Sequence, residues 1–137
     1  MTRVLGIDFG EKRVGLAVSD PMRIISQPIA TLRPDAEGLW WHQLEAMVAE
    51  QEIELAVVGY PLTLRGTHSA QTRVVDDFIV DLEKRLALPV ERYDERLTTV
   101  AAKKALQQQG IKTGHQKELV DRVAAAMLLQ DYLDSHR

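Results

Sequence analysis

Short hydrophobic runs broken by glycine open the chain. Val4, Leu5 and Ile7 predict a strand over Arg3 to Phe9, ended by Gly10. Gly10-Glu11-Lys12-Arg13 is a short connection, and Val14 to Val18 predicts a second strand hairpinned to the first. Ile24 to Leu32 predicts a third, in which Pro28 marks an edge or a bulge.

The period then changes. Asp35 to Gln51 reads as a helix with Leu39, His42 or Gln43, Ala46, Met47 and Glu50 on one stripe, filled in by Leu44 and Val48. Leu55 to Gly59 is a continuous apolar run, as in a strand covered on both faces. Ser69 to Leu86 predicts a helix with Val74, Val75, Phe78, Ile79, Leu82 and Leu86 along one side. Leu88 to Tyr93 predicts another strand, and Thr98 to Gln109 a helix stopped by Gly110. A last helix opens near Thr113, where Thr113-x-x-Gln116 fits a capping box.

The predicted order is βββ-α-β-α-β-α-α. Strands joined by short turns pair antiparallel, and strands reached through helices add in parallel. The expected fold is therefore α/β, a mixed five-stranded sheet flanked by helices. No repeat, low-complexity tract or Pro/Ser-rich linker interrupts it, so residues 1–137 are expected to form a single domain.

Composition narrows the chemistry. The chain has no cysteine, which excludes disulfides, thiolate metal sites and cysteine nucleophiles. Its longest apolar run spans only a few residues, and the N-terminus reaches Asp8 too soon for a secretory leader, so a cytoplasmic, membrane-free protein is expected. A net charge of −3 argues against a chain held on nucleic acid by bulk charge alone. The charge is uneven, however: six acids and no Lys or Arg lie between Asp35 and Gly59, whereas Arg96 to Arg122 holds six bases against two acids. One end could thus meet a polyanion, although two solvated helix surfaces would read the same.

Three acids stand where acids are costly. Alternation puts Val4, Gly6 and Asp8 on one face of the first strand, with Gly6 and Gly10 clearing space near the Asp8 carboxylate. Asp94 and Glu95 close the strand ending at Tyr93, where ligands of parallel α/β sheets gather; adjacent acids face opposite sides, so one of them is expected to join Asp8. Glu95 is the expected one, lying a step nearer the loop on a longer arm. Asp121 heads the apolar stripe of the last helix, preceding Ala124, Ala125, Leu128, Leu129 and Tyr132 at +3, +4, +7, +8 and +11. No Lys or Arg is built into all three motifs, so a divalent cation is expected to relieve their repulsion, and all-oxygen ligands suit Mg²⁺ or Mn²⁺, one ion or two. Such a site activates water against a phosphodiester.

These stretches resemble a known family. Gly6-Ile7-Asp8-Phe9-Gly10 with Arg13-Val14-Gly15-Leu16-Ala17, then Val57-Val58-Gly59-Tyr60-Pro61, Asp94-Glu95-Arg96-Leu97-Thr98-Thr99 and Val120-Asp121-x-x-Ala124-Ala125 are similar, in order and over essentially the whole chain, to the YqgF/RuvX family. The resemblance implies a ribonuclease H-like fold and an acidic site at Asp8, Glu95 (or Asp94) and Asp121. It implies a nuclease that processes the 5′ end of pre-16S rRNA, or a Holliday junction resolvase acting on branched DNA. Arg13, Arg96 and Thr98 are the expected phosphate contacts, Arg through a charge-assisted fork and Thr through its hydroxyl or a helix-end amide. One segment departs: where the family carries an Asn/Met/Asp/Gly-like loop, this chain has Leu62-Thr63-Leu64-Arg65-Gly66-Thr67.

Other classes are weighed against this. Asp8-Phe9-Gly10 also suits the phosphate hairpin of actin-like and sugar-kinase-like proteins, but those clamp nucleotide between two duplicated domains, and 137 residues without a second such hairpin are too few. A non-catalytic assembly factor binding RNA or protein would not need three acids placed for metal chemistry. Trp40-Trp41 begins a helix in an acidic segment and is expected in packing rather than on a base. A resolvase implies a homodimer matching its two-fold substrate, and an RNA-trimming enzyme does not.

Overall fold

The computed structural model describes residues 2–63, 65–95 and 114–137. Five strands, β1 (Arg3–Phe9), β2 (Val14–Ser19), β3 (Ser26–Leu32), β4 (Ile53–Tyr60) and β5 (Val90–Asp94), form one sheet in the order β3-β2-β1-β4-β5. The described helices are α1 (Leu39–Glu50), α2 (Ala70–Leu86) and α3 (Gly114–Ser135). β1, β2 and β3 pair antiparallel, and β4 and β5 add in parallel, so the expected mixed sheet is observed. The helix expected over Thr98 to Gln109 and the capping box at Thr113 lie outside the described residues.

β1 is central and covered on both faces. Leu5 and Ile7, with Leu16, Val58 and Tyr60, pack on Trp40, Trp41 and Leu44 of α1 and on Val75, Phe78, Ile79 and Leu82 of α2. Val4, with Ala17 and Val57, packs on Ala125, Leu129, Tyr132 and Leu133 of α3. The expected alternation in β1 thus places Asp8 on the α3 face.

α2 matches its pattern closely. Ser69 caps it, and a reciprocal bond with Thr72 completes a capping box. α1 differs. It starts at Leu39 rather than Asp35, after Gly38 in a left-handed conformation, and Leu39 itself is exposed. The buried stripe is Trp40, Trp41 and Leu44, because two indoles stacking on Phe78 bury far more apolar surface than the expected Leu39-led stripe. This settles Trp40-Trp41 as core.

β3 starts two residues later than expected. The Asp20 carboxylate accepts the backbone N–H groups of Met22, Ile24 and Ile25, which are then unavailable to a strand ladder. Those bonds, chiefly the one from Ile25, hold the Asp20 carboxyl below its ordinary range. Pro28 lies on the outermost strand beside a bulge, where Leu16 pairs Ala30 but Ala17 pairs Pro28. β5 begins at Val90, after Pro89, and runs one residue further than expected.

Candidate active site

Asp8 is the penultimate residue of β1 and is only 4% exposed. Its cross-strand neighbours are both glycines. Gly15 pairs with it on β2, and Gly59 lies one step beyond the last β1–β4 pair, Ile7 with Val58. Each glycine makes room for another acid. A β-carbon on Gly15 would overlap the backbone carbonyl oxygen of Asp121, so α3 settles onto the sheet at that residue. A β-carbon on Gly59 would overlap the Glu95 carboxylate, which lies directly over it. The sheet therefore dips on either side of Asp8, and Asp121 and Glu95 fill the dips.

Asp121 is the eighth residue of α3 and is 7% exposed. The stripe expected behind it is buried at Ala124, Ala125, Leu128, Leu129 and Tyr132. Asp94 takes the other side: it pairs with Tyr60, whose ring belongs to the core beneath α1 and α2. The sequence pointed to Gly6 and Gly10 as the residues that let a ligand or backbone approach near Asp8. Gly6 does admit α3, since a β-carbon there would press on Leu129 and the Ala125 carbonyl; the register adds Gly15 and Gly59, and Gly10 serves the hairpin turn, its N–H donating to the Arg13 carbonyl at 2.9 Å.

A cavity of about 430 Å³ opens at the carboxyl end of β1. Asp8 and Asp121 line it together with the turn from Gly10 to Arg13 and, from α2, Gln71, Val74 and Val75. Asp121 does not stand un-neutralised as the sequence suggested. Arg13 Nε donates to Asp121 Oδ2 at 2.6 Å. Alternation along the strands shows the three acids but not which turn cation will reach one of them across 108 residues. Among the described residues, no three His, Asp or Glu side chains are grouped as ligands of one ion. Arg96 and Thr98 lie outside the described residues.

A second polar group, missed in the sequence, sits at the end of β4. Tyr60 Oη donates to Asp76 Oδ2 at 2.9 Å and lies 3.1 Å from His68 Nδ1, while Arg92 Nε donates to Asp76 Oδ1 at 2.9 Å. Burial alone would raise Asp76, but the Tyr60 hydroxyl and the Arg92 guanidinium outweigh it and hold its carboxyl below the usual range. Burial, reinforced by Asp76, pushes the Tyr60 phenol up. The atypical loop is closed by its own threonines: Thr63 N–H donates to the Thr67 carbonyl at 3.0 Å, and their hydroxyls lie 2.6 Å apart. The only signal for this group was its residue types, scattered over three elements.

Comparison with known proteins adds the following. Residues 2–135 match the model of the RuvX family, described as Holliday junction resolvase. A protein of Chloroflexus aggregans named "Putative pre-16S rRNA nuclease" is 42% identical over 134 residues, covering 98% of this chain and 94% of its own. One of Desulforamulus reducens with the same name is 38% identical, covering 97% of each chain. Among solved structures, Thermus thermophilus RuvC in complex with a Holliday junction substrate superposes with a TM-score of 0.57 at 18% identity, over 99% of this chain and 97% of that one. The fowlpox virus Holliday junction resolvase gives 0.51 at 16%, over 98% and 99%. The fold is ribonuclease H-like, a mixed sheet with α1 and α2 on one face and α3 on the other.

Proposed function

The chain belongs to the RuvX family, and from that footing we propose that it is a metal-dependent nuclease that hydrolyses phosphodiesters of structured nucleic acid, its substrate being the 5′ end of pre-16S rRNA. The observation that supports this reading is the pair of glycines beside Asp8: the Asp121 backbone seats on Gly15, the Glu95 carboxylate lies over Gly59, and Asp8 and Asp121 line one cavity.

The donor set suits a hard divalent cation. It is all carboxylate oxygen, with Asp8 on β1, Asp121 on α3 and Glu95 one residue past the end of β5. Asp8, Glu95 and Asp121 would hold Mg²⁺ or Mn²⁺, as one ion or two. A cation held there would supply an activated water and stabilise the leaving oxygen. Net hydrolysis adds a water oxygen to phosphorus, breaks the bond to the leaving sugar oxygen and returns a proton to it. Arg13 stands at the cavity wall to meet a phosphate oxygen, and Arg96 and Thr98 are proposed to do the same from the segment after Glu95.

Cleavage of a Holliday junction is the second reading, favoured by the description of the matching family. That reading requires a homodimer; the ribosomal one does not. On the ribosomal reading the enzyme works in the cytoplasm, and no described helix is long and apolar enough to cross a membrane. Purified protein is offered a pre-16S rRNA 5′ leader and a synthetic four-way junction side by side, with Mg²⁺, with Mn²⁺ and with EDTA. Cation-dependent cleavage of the leader, lost in Asp8→Asn, is expected. Cleavage of the junction alone selects the second reading, and cleavage of neither ends both.

A further inference from the structure

The Arg13–Asp121 pair lies where the proposed chemistry needs a carboxylate free for a cation. Its two members are held unequally. Asp121 is fixed: its backbone is seated on Gly15, and the turn behind it is buried through Ala124 and Ala125. Arg13 follows a turn whose tip, Glu11 and Lys12, is exposed, and its own side chain is 23% exposed against 10% for Asp121. When the pair opens, the guanidinium therefore moves and the carboxylate stays.

We propose that Arg13 is a positioning residue that guards Asp121 in the free protein and hands it to the cation when a nucleic-acid phosphate draws the guanidinium away. This rests on the metal-dependent nuclease reading above. A guanidinium has five donors and matches phosphate as well as carboxylate, so an incoming backbone phosphate competes directly for Arg13. A carboxylate as buried as Asp121 is costly when unpaired, and the exchange leaves it paired at every stage, first with Arg13 and then with the cation. Metal and substrate consequently load together, and the protein alone binds the cation weakly. The hairpin thereby acts as a substrate-operated counter-ion, which keeps a charged metal centre from forming on an empty enzyme.

The test is Mn²⁺ affinity measured by calorimetry on the full chain without nucleic acid. Arg13→Gln is expected to bind Mn²⁺ about threefold to fivefold more tightly than wild type, the weight of a partly exposed ion pair removed as competitor. Asp121→Asn is expected to lose most of the binding. Adding an uncleavable oligonucleotide should tighten Mn²⁺ binding to wild type and leave Arg13→Gln unchanged. The KM for nucleic acid should rise in Arg13→Gln and recover in part in Arg13→Lys, which keeps the charge without the fork. Arg13→Lys also serves if Arg13→Gln does not fold: its Mn²⁺ affinity should exceed that of wild type. Mn²⁺ affinity unchanged or weakened in the Arg13 variants, with binding still lost in Asp121→Asn, overturns the hand-over and leaves the nuclease reading standing. Binding undiminished in Asp121→Asn overturns the metal-site reading and the hand-over with it.

Discussion

The Glu95 carboxylate occupies the space that a side chain on Gly59 would fill. Gly59 is the β4 neighbour of Asp8, so the absence of one β-carbon determines how near the second acid comes to the first.

Gly59→Ala should therefore fold and fail. The clash falls on the far end of a flexible side chain, which can swing aside at little cost to stability. Displacing the carboxylate by about 1 Å is expected to lower cleavage about tenfold to a hundredfold. Thermal melts beside initial rates check this. A comparison of Glu95→Ala with Asp94→Ala sharpens it, since the Tyr60 pairing puts Asp94 on the other face; the larger loss belongs to Glu95.

Asp121→Asn should keep the fold while cleavage falls by more than about a hundredfold, because the substitution preserves shape and removes the charge expected to hold the cation. Losing the ionic bond to Arg13 should cost only about 1–2 kcal/mol of stability. Urea titration and activity on the same preparation separate the two effects. Cleavage retained at matched stability would sink the assignment.

A divalent cation should raise the thermal midpoint. Acids gathered by folding repel one another, and a cation bound only to the folded state adds about 2.7 kcal/mol at about a hundred times its Kd. Because Arg13 already neutralises Asp121, the rise should require millimolar Mg²⁺, with Mn²⁺ the more effective ion. The midpoint is measured against both ions in wild type and Asp8→Asn. Equal rises in the two proteins would place the ion elsewhere.

Asp76 predicts an acid-side loss of stability. Its folded-state pKa lies below the ordinary 3.8, held there by Tyr60 and Arg92 against the opposing effect of burial. The stability it contributes is complete above that ordinary value and disappears as pH falls through the lowered one. Melting curves between about pH 2 and 6 should therefore fall less steeply in Asp76→Asn than in wild type. The difference should be small, because Asp76 and Arg92 are partly exposed and screened.

The sheet was legible because its signals are local. Glycine stops, a strand period of two and apolar runs placed all five strands to within two residues, and the apolar stripe from Val74 to Leu86 marked α2. The face of Asp8 and the inward stripe from Asp121 also follow from period alone. What the pattern could not show was partnership across the chain. That Asp20 would take the amides of Ile24 and Ile25, that two adjacent tryptophans would outweigh a leucine stripe, and that Arg13 would reach Asp121 each depends on a competition settled in three dimensions. The glycines beside Asp8 were visible as residues, but their role needed the register.

α3 packs across β1, β2 and β3, and it brings Asp121 to a strand made more than a hundred residues earlier. During synthesis the chain's first hairpin leaves the ribosome long before that helix exists. Until residues 114–135 emerge, Val4, Ala17 and Val57 lack their cover, and Asp8 lacks the acid that shares its cavity. Asp8 and Asp121 therefore meet only after α3 has been made and has docked on the sheet, so the cavity they share is assembled after the strand that carries Asp8.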